Sequence, residues 1–306
     1  MLGRKLKKGD TIGIIAPASC TKYSNVLKAK ENIENMGYRV VLGECTKKSW
    51  YSYAGTDRER AQEINSFFAD KNIDAIMCMR GGYGCNRLVE YVDLDIVKSN
   101  PKIFIGYSDI TTLHILFNEK AELVTFHGPM AVSNFSGDYN QSTYENFINI
   151  LSNETSHLNI ENYSKNLEIL SEGKVVGKLV GGNLATLIAT LGTDYDLDYK
   201  GKILFLEEIG EKTYKVDRFL NQLKKHKVFD RISGVILGDF KNCAPDSESD
   251  MSLLDVFKDY FENLGKPVVY NLESGHSEPM LTLPLGAMCE INSFEKSIKI
   301  IEPVVE

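Results

Sequence analysis

The sequence predicts an α/β protein in two unequal parts: a parallel sheet with helices on both faces, then a smaller, β-rich α/β domain. Three observations carry that reading. Short apolar runs rich in β-branched residues alternate with helical stretches from Thr11 to Phe126, as in a parallel sheet whose strands are joined by helices. The 306-residue length suits two domains and can bury about 75% of the unfolded surface without staples. From about Ser136 to Asn166 the texture shifts to Asn, Ser, Tyr and acidic residues, as in a connection between domains. The expected units are residues 1–135, flavodoxin-like in plan, a connection over 136–166, and a second domain over 167–306.

The elements follow in order. Thr11-Ile12-Gly13-Ile14-Ile15-Ala16 reads as a buried strand, turned by Pro17-Ala18-Ser19. A helical pattern from about Tyr23 to Met36 ends at Gly37 as a C-cap, before a strand at Arg39 to Leu42. Asp57 to Ala69 is an amphipathic helix leading to the strand Ala75 to Met79. Asp93 to Ser99 is a short helix stopped by Pro101, and the Ile103 strand comes next, ending at Gly106. Ile110 to Asn118 is helical and Leu123 to Phe126 a strand. The connection carries one helix, Ser142 to Leu151. Beyond Leu167, strands are expected at Lys174 to Val180, Lys202 to Leu206, Gly234 to Leu237 and Pro267 to Leu272. Helices are expected at Leu184 to Leu191, Lys215 to Lys225 and Ser252 to Leu264, before β-rich sequence from Leu281 to Ile301.

Composition excludes several classes. A net charge of −7 argues against nucleic acid as a partner, because non-specific binding depends on clustered cations. No stretch approaches the length of a membrane span, and the run Thr11 to Ala16 is too short for a secretory apolar region. The six cysteines are scattered, some in apolar contexts such as Cys78 and Cys289, which points to reduced thiols and a cytoplasmic location. Cys78 and Cys85 match no zinc spacing, no histidine pair has ligand spacing, and neither metal nor cofactor is expected.

In open α/β sheets ligands bind beyond the carboxyl ends of the strands, so polar groups at strand exits are the candidates. Gly106-Tyr107-Ser108-Asp109 stands between a strand and a helix, where a tight turn exposes the Ser108 hydroxyl and aims the Asp109 N–H at the same space. Taken alone, the same residues read more simply as a plain helix N-cap, because capping serines are common. Glu207-Glu208 and Ser274-Gly275-His276 also stand at strand exits, giving the chain order Ser, Glu, His of a nucleophile, an orienting carboxylate and a general base. Only one of Glu207 and Glu208 can face the histidine, because a strand alternates its side chains. Arg80-Gly81-Gly82-Tyr83-Gly84 suits a second oxyanion donor and lacks the Lys-Ser/Thr ending of a phosphate loop. Arg80 suits a substrate carboxylate, or a salt bridge at the sheet edge. His127-Gly128-Pro129 ends another strand, so His127 either lines the pocket or supports it.

Five motifs taken together resemble the LD-carboxypeptidase family of serine peptidases: Gly106-Tyr107-Ser108-Asp109, Arg80-Gly81-Gly82-Tyr83-Gly84, Gly181-Gly182-Asn183-Leu184, Leu204-Phe205-Leu206-Glu207 and Gly275-His276. They occur in family order, and the resemblance runs from Gly9-Asp10 to about Ile301. It implies Ser108 as nucleophile, His276 as base, Glu207 as its orienter, and the N–H groups of Gly81 and Asp109 as oxyanion hole. Arg80, Gly82, Asn183 and His127 are then candidate substrate contacts, and a homodimer is implied. One branch of the family trims terminal D-alanine from murein tetrapeptide, so a muropeptide or small peptide is the expected partner. The other resembles microcin immunity peptidases, which cut peptidyl or aminoacyl nucleotides and stack the base on a tryptophan in the C-terminal domain. The only tryptophan here is Trp50, in the N-terminal half, although Tyr195 or Tyr199 could stack instead. A two-domain protein that binds peptide without cutting it is a further alternative. A generic α/β-hydrolase fits less well, since Ile110 stands where the Gly-x-Ser-x-Gly turn has its last glycine.

The remaining histidines read as structural or surface residues: His114 under the serine turn, and His157 and His226 on the outside. Trp50, Tyr51 and Tyr53 either rim a cleft or form a hydrophobic patch at a helix cap.

Overall fold

The computed structural model describes residues 1–153 and 157–306, so residues 154–156 of the expected connection lie outside the described residues. Strands β1 (Thr11–Ile15), β2 (Arg39–Leu42), β3 (Ala75–Cys78), β4 (Ile103–Gly106) and β5 (Thr125–His127) pair in parallel in the order 2-1-3-4-5. That is the flavodoxin-like order, with its switch between β1 and β3. β1, β3, β4 and β5 are buried at every residue, which explains their continuous apolar sequence; β2, at the edge, alternates exposed and half-buried positions. Helix Asp57–Ala69 begins with a capping box in which the Thr56 side chain and Glu59 satisfy each other's backbone N–H groups.

The second sheet is built from β6 (Leu158–Ile160), β7 (Glu168–Ser171), β8 (Lys174–Asn183), β9 (Ile203–Ile209), β10 (Gly234–Lys241) and β11 (Val268–Tyr270). Between β11 and the last two strands comes β12 (Leu283–Leu285), and then β13 (Met288–Asn292) and β14 (Ser297–Ile300) close the chain. The order is 6-14-13-8-9-10-11-7, eight strands of which 8-9-10-11 are parallel and the flanks antiparallel. This sheet is the wider of the two.

One strand departs from the expected division of the chain. β12 lies well inside 167–306, yet it pairs antiparallel to β5 at the edge of the first sheet, Leu283 opposite His127. A single apolar core accordingly runs from Ile14 and Phe126 through Leu283 to Phe205, Ile236 and Ile291. The chain ends also meet, since Lys5 N–H donates to the Glu306 carbonyl and Glu306 N–H to that of Gly3. β6 and β7 escaped the sequence reading because three or four residues carry too little periodicity. All six cysteines are free thiols, five of them buried, and no described helix is long and apolar enough to cross a membrane.

Candidate active site

Ser108 owes its position to the strand before it. The chain leaves β4 through Tyr107 into a single 3₁₀ turn, Ser108–Ile110, which runs on into helix Thr111–Ala121. Ser108 sits at φ +64°, a left-handed conformation that costs a residue with a Cβ about 1 kcal/mol or more and that surrounding contacts must enforce. Those contacts are present. The buried Asp109 carboxylate accepts the Cys85 N–H at 2.8 Å, and burial raises its pKa. Thr111 Oγ1 accepts the Asn183 N–H at 3.0 Å, and His114 Nε2 lies 2.8 Å from the Gly106 carbonyl, which it reaches as the Nε2–H tautomer.

The glycine loop after β3 closes on the same hydroxyl. A Cβ placed on Gly81 would lie 2.8 Å from Ser108 Cβ, 2.9 Å from its Oγ and 3.5 Å from Asp109 N, so glycine is what lets the loop backbone come this close. Gly82, at φ +115°, packs on Ser19, and a Cβ there would lie 2.3 Å from Ser19 Oγ. The same Oγ accepts the Tyr83 N–H at 3.1 Å. Half-buried Arg80 donates to the Cys20 carbonyl at 3.3 Å.

The second sheet supplies an acid and an imidazole. Consecutive residues of β9 point to opposite sides. Glu207, fully buried, places Oε2 2.7 Å from His276 Nδ1. Glu208 turns the other way and accepts from Asn183 Nδ2 at 2.9 Å and from the N–H groups of Ala185 and Ile209 at 2.8 and 2.9 Å. Gly275, at φ +143°, allows the acid in, since a Cβ there would stand 3.0 Å from Glu207 Oε2. Lys241 Nζ holds the His276 carbonyl at 3.0 Å. The imidazole then meets the first sheet edge-on: its ring and that of Tyr107, the residue before Ser108, have centroids 4.9 Å apart at 74°. Burial raises the Tyr107 phenol to about 12, so it stays neutral. Ser108 Oγ and His276 Nε2 make no hydrogen bond to each other among the described residues; in substrate-free hydrolases that bond is often long.

Two expected substrate contacts are placed differently. His127 is 0% exposed, packed between Phe205 and Tyr107 with centroids 5.0 and 5.9 Å away, and neither ring nitrogen has a partner among the described residues. Its ring supports the site from below and does not line a cleft. The Asn183 side chain caps helix Leu184–Ile188, accepting from Thr186 N and Oγ1 while donating to Glu208. Both positions follow strands, and a strand exit reads the same whether the side chain turns inward or outward.

Tyr107, Ser19 and Arg60 support the site in ways that no sequence pattern shows. Arg60 is fully buried and donates to the carbonyls of Gly55, Gly84 and Pro17 and to the Asp57 carboxylate, which ties the glycine loop to the turn after β1. Its spacing from Ile64 and Phe68 already put it on the buried helix face.

The two buried histidines set a pH dependence. Burial pushes His114 down to about 4 and His127 the same way. Below the unfolded value of 6.5 the unfolded chain gains protons that the folded chain refuses, so stability present at pH 7 is lost progressively towards pH 4. Between pH 7 and pH 5 His114 is expected to account for about 2 kcal/mol of that loss. Urea unfolding of the parent and of His114→Gln at both pH values measures it; the variant should lose less, and an identical loss in both would contradict the assignment.

A strained serine, a glycine loop against its hydroxyl, and a carboxylate–imidazole pair packed on the residue before it define a hydrolase of the serine-peptidase class. Comparison with known proteins agrees. The LD-carboxypeptidase N-terminal domain matches residues 12–128 and the LD-carboxypeptidase C-terminal domain residues 176–291. The chain belongs to the LD-carboxypeptidase family. It is 38% identical over 304 residues to a probable murein peptide carboxypeptidase of Bacillus subtilis (strain 168), covering 99% of this chain and 95% of the relative. It is 34% identical over 334 residues to the microcin C7 self-immunity protein MccF of Escherichia coli, covering 99% and 96%. Among solved structures, MccF in complex with glutamyl sulfamoyl guanosine superposes with a TM-score of 0.93 at 30% identity, covering 100% of this chain and 99% of that one. Muramoyltetrapeptide carboxypeptidase from Oxalobacter formigenes gives 0.86 at 27% identity, covering 97% and 100%.

Proposed function

We propose that this chain is a cytoplasmic serine carboxypeptidase that hydrolyses an L,D-peptide bond, releasing terminal D-alanine from murein tetrapeptide in cell-wall recycling. Ser108 attacks the scissile carbonyl while His276 Nε2 takes its proton. Glu207 keeps the imidazole proton on Nδ1 and steadies the imidazolium that forms. The N–H groups of Gly81 and Asp109 receive the oxyanion, His276 returns the proton to the departing amine, and water releases the acyl-enzyme by the same steps. Arg80, with most of its guanidinium uncommitted, takes a substrate carboxylate beside Gly82. The observation that carries the reading is the 2.7 Å Glu207–His276 contact delivered against the Tyr107–Ser108 turn from the other sheet.

The relatives also bring in the MccF-type reaction on an aminoacyl nucleotide. The aromatic groups of the segment that would carry base stacking argue against it here. Tyr199 is fully buried, the Tyr195 hydroxyl is bonded to Asn86, and Trp50 lies in the other half of the chain. Incubation with murein tetrapeptide and, in parallel, with an aminoacyl sulfamoyl nucleotide tests this directly. D-alanine should appear, at least tenfold faster than the nucleotide is cleaved. The reverse order would assign the amidase, and binding of tetrapeptide without turnover of either would assign a peptide-binding protein.

A further inference from the structure

Beyond Ser108, the carboxyl edge of the first sheet carries a feature that the reaction leaves unused. Loops from β3, β1 and β2 stand side by side there and end in a cluster of rings. Tyr53 and Tyr83 have centroids 5.8 Å apart, Trp50 lies 5.7 Å from Tyr53, and Tyr51 lies 5.3 Å from Trp50. Tyr51 is 84% exposed, Tyr83 53% and Trp50 38%. The cluster is rigidly mounted. Cys20 N–H donates to the Ser52 carbonyl at 2.9 Å, Ala54 N–H to that of Ala18 at 3.1 Å, and Tyr83 N–H to Ser19 Oγ. The guanidinium groups of Arg60 and Arg87 lie over the Tyr53 ring at 5.3 and 5.4 Å, both already paired with Asp57.

We propose that these rings form a distal subsite for the sugar of a muropeptide, an uncharged N-acetylated pyranose that lays its C–H face on one exposed ring of the row Tyr51, Trp50 and Tyr83 and its edges against the neighbours. The proposal rests on the murein reading given above. Direction follows from the base. His276 packs on Tyr107, whose ring also faces His127 at the end of β5, so the departing amine lies on the β5 side of Ser108. The acyl part must then run the other way, over β3 and β1 towards β2. At the spacing of neighbouring strands, two to three strands from β4 is roughly 10–14 Å. The three residues on the acyl side of the scissile bond span roughly 10–11 Å when extended. What is attached to the first of them arrives at the rings. Exposed aromatic faces with their cations already neutralised suit an uncharged ring and not a further charged residue. On this geometry Arg80, at the end of β3, meets a carboxylate of the acyl part.

Trp50 is the sole tryptophan of the chain, which makes it an internal reporter. In Ser108→Ala protein, titration with N-acetylmuramyl-tetrapeptide should shift or quench Trp50 emission and bind roughly five- to tenfold more tightly than free tetrapeptide. In active protein the ratio of kcat/KM for the two substrates should favour the sugar-bearing one. Tyr51→Ala or Tyr83→Ala should bring that ratio towards one, and Tyr51→Phe, which keeps the ring, should preserve it. Cleavage of free tetrapeptide with a ratio near one and unchanged Trp50 emission would overturn the subsite while leaving the peptidase reading intact. Cleavage of neither substrate would remove both. A Tyr51→Ala variant that alters the mass measured by light scattering but not the ratio would make the rings a contact between copies and overturn the proposal.

Discussion

Ser108→Ala should lower kcat/KM for the proposed D-alanine release by about 10⁴-fold or more, because the proposed acyl intermediate forms on the hydroxyl that this substitution removes. The urea midpoint stays close to that of the parent, since alanine inherits the same left-handed backbone at φ +64°. Ser108→Gly should be equally inactive yet more stable, by about 1 kcal/mol, because glycine relieves the strain. Opposite movements of activity and stability at one residue would identify the turn as a place where the fold gives up stability for chemistry. A fluorophosphonate should label the parent and neither variant. Turnover retained in Ser108→Ala would remove the nucleophile assignment.

Glu207→Gln is expected to cut kcat by about 10³–10⁴-fold with little change in KM, since an amide facing His276 Nδ1 no longer fixes the productive tautomer. Its neighbour separates orientation from architecture. Glu208→Gln disturbs an acceptor that serves Asn183, Ala185 and Ile209, so it should lower the urea midpoint and leave kcat within about tenfold. Were Glu208→Gln to lose kcat and Glu207→Gln to keep it, the two roles would be exchanged. Circular dichroism at the assay temperature keeps an unfolded variant from being mistaken for an inactive one.

Most of the scaffold is readable without coordinates. The first sheet follows from apolar runs of strand length, each closed by glycine, proline or a helix cap. The serine, acid and imidazole can be listed as candidates because ligands bind beyond strand ends in each sheet, but which candidates of one sheet face those of the other is not legible. What escaped detection has a common cause. His127 and Asn183 stand at the ends of strands much as Ser108 follows one, and sequence says nothing about whether a ring turns into the core or an amide is taken by the next helix. Arg60 shares the buried-face spacing of Ile64 and Phe68, but nothing in sequence shows the carbonyls of distant loops that receive its guanidinium. β12 is three residues long, and nothing in Leu283-Pro284-Leu285 tells which sheet it will join.

That small strand bears on how the two lobes can move. The backbone passes between the sheets after β5, returns to reach β12, and passes over again to β13; His276 lies on the middle passage, between β11 and β12. The imidazole is therefore tethered on both sides, and its reach to the hydroxyl is set by a stretch of backbone anchored next to β5. A wide swing of one lobe about the other would have to peel β12 from β5 first. Substrate would then enter and leave by shifts of loops and side chains, and any approach of the His276 ring to the Ser108 hydroxyl would come from those local movements and not from closure of the lobes.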